Sequence, residues 1–233
     1  MEKPTTRLQI LNIVSAVLIL IAIGLVFFYA PEELVMGQVQ RIFYFHVPSA
    51  WVGFLAFFVT VVAGIMYLRS GEPFWDRVGH SSVEVGLLFT ISAGVAGSIW
   101  ARPIWNTWWT WDPRLTTYTI MALIYIAYIM LRQGIEDPDR RARFAAVYGI
   151  VGFISVPITY FSIMWWRTIH PVVFGSASEN AKGTFSMTPP MAVTFFFSLF
   201  AFTVLYFCFL ANRLRLARLQ DRVEKLKAEL LAA

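Results

Sequence analysis

Residues 8–29 read LQILNIVSAVLILIAIGLVFFY, an apolar run without one charged side chain. About 20 such residues cross the hydrocarbon core of a bilayer, because a helix rises about 1.5 Å per residue and satisfies its own backbone hydrogen bonds. The run is longer than the apolar core of a secretory signal and lacks a clean small-residue cleavage site, so it reads as a retained span. Working outward, five more stretches of this kind recur, near residues 48–68, 81–99, 115–131, 144–165 and 191–211. Composition agrees, since 58% of the 233 residues are hydrophobic and 14% charged, well below the charged share of a soluble domain. The expected fold is an all-α integral membrane protein with six transmembrane helices and a tryptophan-rich loop on its outer face. Residues 1–212 would form the membrane domain and 213–233 a cytoplasmic amphipathic tail, a short C-terminal helix.

The formal net charge is +5, yet the basic residues lie between apolar spans rather than on one patch, which argues against a nucleic-acid partner. Their distribution sets orientation instead, because cytoplasmic loops carry the excess of Lys and Arg. One side holds Lys3, Arg7, Arg69, Arg77, Arg132, Arg140, Arg141, Arg143, Arg213, Arg215, Arg218, Arg222, Lys225 and Lys227. The other holds Arg41, Arg102, Arg114, Arg167 and Lys182, so fourteen stand against five. Both termini are expected in the cytoplasm, with the protein multi-pass. The single cysteine, Cys208, reads as a small core hydrophobe, and no Cys-x-x-Cys-His is present to attach haem covalently.

Tryptophan placement is lopsided. Trp51, Trp100, Trp105, Trp108, Trp109, Trp111, Trp165 and Trp166 fall at outer ends or outer loops, and only Trp75 lies inside. An aromatic belt occupies both interfaces, so a belt alone does not account for this. Five of these residues lie in WARPIWNTWWTWDPRLTT at 100–117. Asn106 or Thr107 is placed to cap a short turn or helix there, and Pro113 to end it by disfavouring the helical region at Asp112. If that segment is helical, the spacing of Trp105, Trp108 and Trp109 makes one indole face. Such a face suits a large, planar, amphiphilic ligand, with Asp112 orienting the loop through hydrogen bonds.

Two histidines share this side. His46 precedes Val47 and Pro48, where the proline suits the first turn of the second span, and His170 lies just beyond the fifth. Two readings fit them: hydrogen-bonded loop residues, or neutral imidazoles closing the two axial positions of a haem iron. Haem carboxylates need cations, and Arg41 and Arg114 are the nearest, ahead of Arg102 and Arg167. Each of these arginines is equally placed to meet lipid headgroups.

The stretch at 100–117 resembles the tryptophan-rich signature W-G-x-x-x-W-G-T-W-W-x-W-D-x-R-L-T of haem-handling proteins. With six spans and a pair of outer histidines, the chain is similar to the CcmC family, the haem-handling subunit of bacterial cytochrome c maturation. RIFYFHVP at 41–48 and VPITYFSIMWWRTIH at 156–170 resemble the family's two histidine-bearing regions. Ala101 and Asn106 stand where the pattern has glycine, and Pro113 where small residues are usual. The resemblance implies that His46 and His170 are axial ligands to the iron of a non-covalent, transient haem b. It implies a platform of Trp105, Trp108, Trp109, Trp111 and Asp112, and passage of haem to a periplasmic chaperone. It further implies partners: an ABC transporter's ATPase and membrane subunits, and a small single-span protein. The chain has no Walker motif, so ATP use falls to a partner, and nothing marks it as an enzyme. Two other classes share parts of this pattern: a complete cytochrome c haem lyase, and a b-type electron-transfer cytochrome.

Some features lie outside that pattern. His80 and Glu84 stand four apart near the cytoplasmic end of the third span, where pairing or snorkelling explains them. Pro157 is expected to bend the fifth span and aim His170 inward. Leu216, Leu219, Val223, Leu226 and Leu230 step by three and four, the spacing of a helix seam for a partner, the bilayer surface or a second copy.

Overall fold

A computed structural model describes residues 5–171 and 187–232; Lys3 and Lys182, counted above for orientation, lie outside them. Among the described residues, six spans are long and apolar enough to cross a membrane. They are α1 (Thr6–Gly24, prolonged by a π-turn, Leu25–Tyr29), α2 (Phe43–Ser70), α3 (Pro73–Trp105), α4 (Pro113–Gln133), α5 (Pro138–Gly152) in line with α6 (Ser155–Trp165), and α7 (Pro189–Ala232).

The antiparallel pair α2 and α3 forms the centre, with α5 and α7 against α2 and α4 against α5 and α6. Lipid tails are as apolar as the helices, so close backbone approach and packing supply the attraction between spans. A Cβ on Gly53 would lie 2.6 Å from Thr90 Oγ1, and one on Gly86 2.7 Å from the Ala56 methyl. These two glycines let α2 and α3 touch. Around them, Phe57 and Tyr125 stack at 3.5 Å and 2° over Val83 and Met121. Ser82 donates to the Ala56 carbonyl at 2.7 Å and so accepts from Tyr206, also at 2.7 Å, which ties α2, α3 and α7 together. Cys208 does more than fill space, because its thiol donates to the Asn12 side chain that also takes a hydrogen bond from Asn212, joining α1 to α7.

Several boundaries differ from the sequence expectation. A 3₁₀ turn (Gln38–Ile42) runs straight into α2, so His46 sits within the helix rather than before it. Pro48 therefore lies beyond the first turn. The fifth span breaks at Phe153 and Ile154. Pro157 explains the place, since it offers no N–H to the carbonyl four residues back, that of Phe153, and its ring crowds that carbonyl. The Val156 N–H takes that acceptor instead, at 2.9 Å. α7 runs unbroken past residue 213 for 44 residues, about 66 Å at about 1.5 Å per residue, against about 30 Å of hydrocarbon core. Arg213 bonds Glu84 at 2.6 and 2.9 Å, and Arg77 bonds Asp221 at 3.1 Å, so the projecting half is moored to α3. His80 is a looser neighbour of Glu84, at 3.8 Å.

Candidate functional site

The loop between α1 and α2, the starts of α2 and α4, the end of α3 and the segments that follow α3 and α6 line a cavity of about 450 Å³. That is the size range of small-molecule and cofactor sites. α3 opens the space: Ala93, Gly97 and Ala101, four apart and on one face, line it with small side chains. Into that face α2 sends His46. Its Nδ1 lies 2.9 Å from the Ala93 carbonyl, which can only accept, so Nδ1 carries the proton and Nε2 keeps a free lone pair. A Cβ on residue 97 would approach His46 Cε1 to 2.8 Å, so only glycine leaves room for the ring.

His170 comes from the segment after α6, and its ring centroid is 6.4 Å from that of His46, the planes inclined by 35°. A metal–imidazole bond of about 2.0 Å on each side of one ion separates the two ring centroids by roughly 6 Å. The pair is therefore spaced for one metal between two imidazoles. His170 Nδ1 lies 3.3 Å from the Pro171 carbonyl, which again leaves Nε2 for a metal. Burial pushes the His170 imidazole down to about 3, with the Arg114 guanidinium and His46 adding to the effect, so the ring is neutral and competent to ligate at physiological pH.

Indole walls the cavity. Trp100 meets His46 edge-on at 5.9 Å, Trp105 lies 6.2 Å from His170, and Trp108 and Trp109 line the same space. Trp111 does not line it: 72% exposed, it packs on Trp109 from outside at 5.8 Å. The 106–112 segment is not a helix, contrary to the conditional expectation of an indole face. α3 continues to Trp105 and Asn106 ends it at φ +55°, the left-handed region that glycine favours and asparagine tolerates. That is why asparagine serves where the resembling pattern has glycine. Arg102 donates to the Asn106 carbonyl and side chain, which holds the turn.

Asp112 engages both of its carboxylate oxygens. One carboxylate oxygen caps α4 by accepting the Leu115 N–H at 2.9 Å, with Pro113 at the first helical position. The other accepts from Thr168 at 2.7 Å, and Thr168 in turn accepts the His170 N–H at 3.1 Å. Arg114 lines the cavity and donates to the carbonyls of Thr159 and Tyr160. Arg41 is not brought to it; its guanidinium donates to the Val26 carbonyl at 2.5 Å and lies over Phe27. Arg167 is exposed. Sequence reasoning passed over Gly97, Ala93, Thr168 and Tyr118. The four-residue spacing of small side chains in α3 was a usable signal for the first two.

Fold and cavity thus define a six-span helical membrane protein with a pocket of indole and imidazole at one end of its bundle. The profile of the CcmC family, heme exporter protein C, matches residues 2–229. A heme exporter protein C of Bradyrhizobium diazoefficiens is 35% identical over 214 residues, covering 91% of this chain and 80% of the relative. One from Haemophilus influenzae is 29% identical over 96% of this chain and 92% of the relative, and one from Escherichia coli is 31% identical over 77% and 70%. The chain belongs to the heme exporter protein C family.

Proposed function

We propose that this protein holds haem non-covalently between His46 and His170 and passes it to a periplasmic chaperone during assembly of c-type cytochromes. The observation that carries the reading is the spacing of the two imidazoles, 6.4 Å between centroids within one indole-walled cavity. Each ring turns its Nδ1 to a backbone carbonyl and keeps Nε2 for iron. Trp105, Trp108 and Trp109 supply apolar faces for the macrocycle, Asp112 sets their loop, and Arg114 is the cation in the wall for a carboxylate. Arg41 steadies the junction of α1 and α2 instead. The one cysteine, Cys208, sits among α1 and α7 side chains, so thioether attachment has no partner here, and axial bonds hold the haem b reversibly. Any ATP hydrolysis falls to the ATPase of an ABC transporter, whose ATPase and membrane subunits are partners, with a small single-span protein as a further one. The protein resides in the bacterial inner membrane, with its arginine-rich face and both termini cytoplasmic and the cavity periplasmic.

The test is an absorption spectrum of detergent-purified protein titrated with haemin. Wild type is expected to show a six-coordinate, low-spin species, either single alanine variant at His46 or His170 a changed spectrum, and the double variant loss of most haem. A double variant with wild-type haem and an unchanged spectrum overturns the assignment.

A further inference from the structure

We propose that Asp112 and Thr168 form a latch that positions His170, so that the two imidazoles are held unequally and His170 is the one that lets go. The proposal rests on the two-imidazole reading above. His46 stands on a regular helix, its Nδ1 bonded to α3 at 2.9 Å and its ring fitted over Gly97, where one added methyl would collide at 2.8 Å. Nothing there can shift without moving α2 against α3. His170 is built differently. It lies five residues beyond the end of α6, and the acceptor near its ring, at 3.3 Å, is the carbonyl of its own neighbour, Pro171. That contact moves with the segment and anchors nothing to the bundle.

Among the described residues, the side chain of Thr168, buried at 5% exposure, ties the segment to α4. Its single hydroxyl hydrogen goes to Asp112 at 2.7 Å and its oxygen accepts the His170 N–H at 3.1 Å. Asp112 spends its other oxygen on the first turn of α4. The chain of bonds runs from α4 through Asp112 and Thr168 to the backbone of His170. Asp112 also closes the segment that carries Trp108 and Trp111, which are 58% and 72% exposed. A protein docking on those indoles pulls on the latch directly, and His46 has no part in it. Opening the latch returns the lone pair of His170 Nε2 to the imidazole and frees one axial position, while His46 keeps the other; no electron changes hands.

Thr168→Val keeps the shape and removes the hydroxyl, and Thr168→Ser restores it. In haem-free, detergent-purified full-length protein, hydrogen–deuterium exchange of a peptide spanning 166–171 is expected to quicken roughly tenfold in Thr168→Val, as befits one lost hydrogen bond. With haemin added, the same variant is expected to show a mixed-spin ferric spectrum and to take up exogenous imidazole about tenfold more readily, with Thr168→Ser close to wild type. Unchanged exchange and spectrum in Thr168→Val overturn the latch. Should that variant not fold, Thr168→Ala against Thr168→Ser decides by the same readouts. If the double histidine variant loses haem while Thr168→Val behaves as wild type, the latch fails and the site stands. If the double variant keeps haem unchanged, both fall.

Discussion

A methyl group at position 97 would occupy space that the His46 ring already fills, whereas one at Gly94, a turn earlier, would meet Tyr118 at an ordinary 3.6 Å. Gly97→Ala is therefore expected to displace the imidazole and weaken haemin binding by about 10–100-fold, the usual cost of disturbing the support of a ligating histidine. Gly94→Ala is the control, expected to bind as wild type in the same titration. Protonation gives a second test. His170 is held down at about 3 by burial, against 6.5 when unfolded, so the unfolded chain binds the extra proton between these values. Its contribution to stability is thus complete above about 6.5 and shrinks as pH falls towards 3. The melting temperature of haem-free wild type should fall more between pH 7 and pH 5 than that of His170→Asn. Equal slopes would show that the ring is not buried in its neutral form. The histidines and indoles were legible because they crowd one side of the bundle, where an aromatic belt alone would occupy both. Thr168 was not, since a threonine two residues from a histidine means nothing until the fold sets a carboxylate beside it.

Helices α3 and α4 are closed at their arginine-rich ends by one ion pair. Arg132, in the last turn of α4, grips Asp76 in the first turn of α3 at 2.5 and 2.9 Å and lies over the Tyr128 ring. The signs also suit the helix dipoles, an acid at an N-terminus and a cation at a C-terminus. With 9% and 19% of the two side chains exposed, removing one partner strands the other out of water. Asp76→Ala is expected to cost about 3 kcal/mol, read as a lowered unfolding midpoint in detergent. A change within error would show that water reaches the arginine freely. The break in the fifth span and the end of α3 show how far local rules carry at this scale. Pro157 marked the bend but not that the chain breaks four residues earlier, where the orphaned carbonyl lies. Asn106 or Thr107 was placed to cap a short turn or helix after it, and Asn106 instead ends α3, because the same short amide serves at either cap.

The whole molecule sorts its charges by face, and the orientation proposed above rests on that sorting. An Asn106→Cys variant, in a Cys208→Ala background, should react with an impermeant thiol reagent in intact spheroplasts, and a cysteine at Arg140 only after lysis. The reverse pattern overturns the topology. Projection of α7 well beyond the hydrocarbon core, moored by Glu84 and Arg77 of α3, puts Leu216, Val223, Leu226 and Leu230 at the surface of the arginine-rich half. Only the complete bundle brings residues 46, 97, 112 and 168–170 together, since they come from two interhelical segments and the facing sides of two helices.

Six spans, their order and the side on which the tryptophans gather were determined by the sequence alone, because bilayer thickness and backbone hydrogen bonding leave an apolar run of this length one solution. The residue types of the site were equally open to reading. Tertiary structure decided their arrangement: that Arg114 lines the cavity while Arg41 is tied to the end of α1, that Trp111 faces outward, and that Asp112 reaches His170 through Thr168. The reason is physical. Local sequence sets the periodicity and caps of each helix, but the distance between two side chains on different helices depends on how closely the backbones approach. That approach is set by packing at Gly53, Gly86 and Gly97, where the missing side chains matter only once a neighbour arrives.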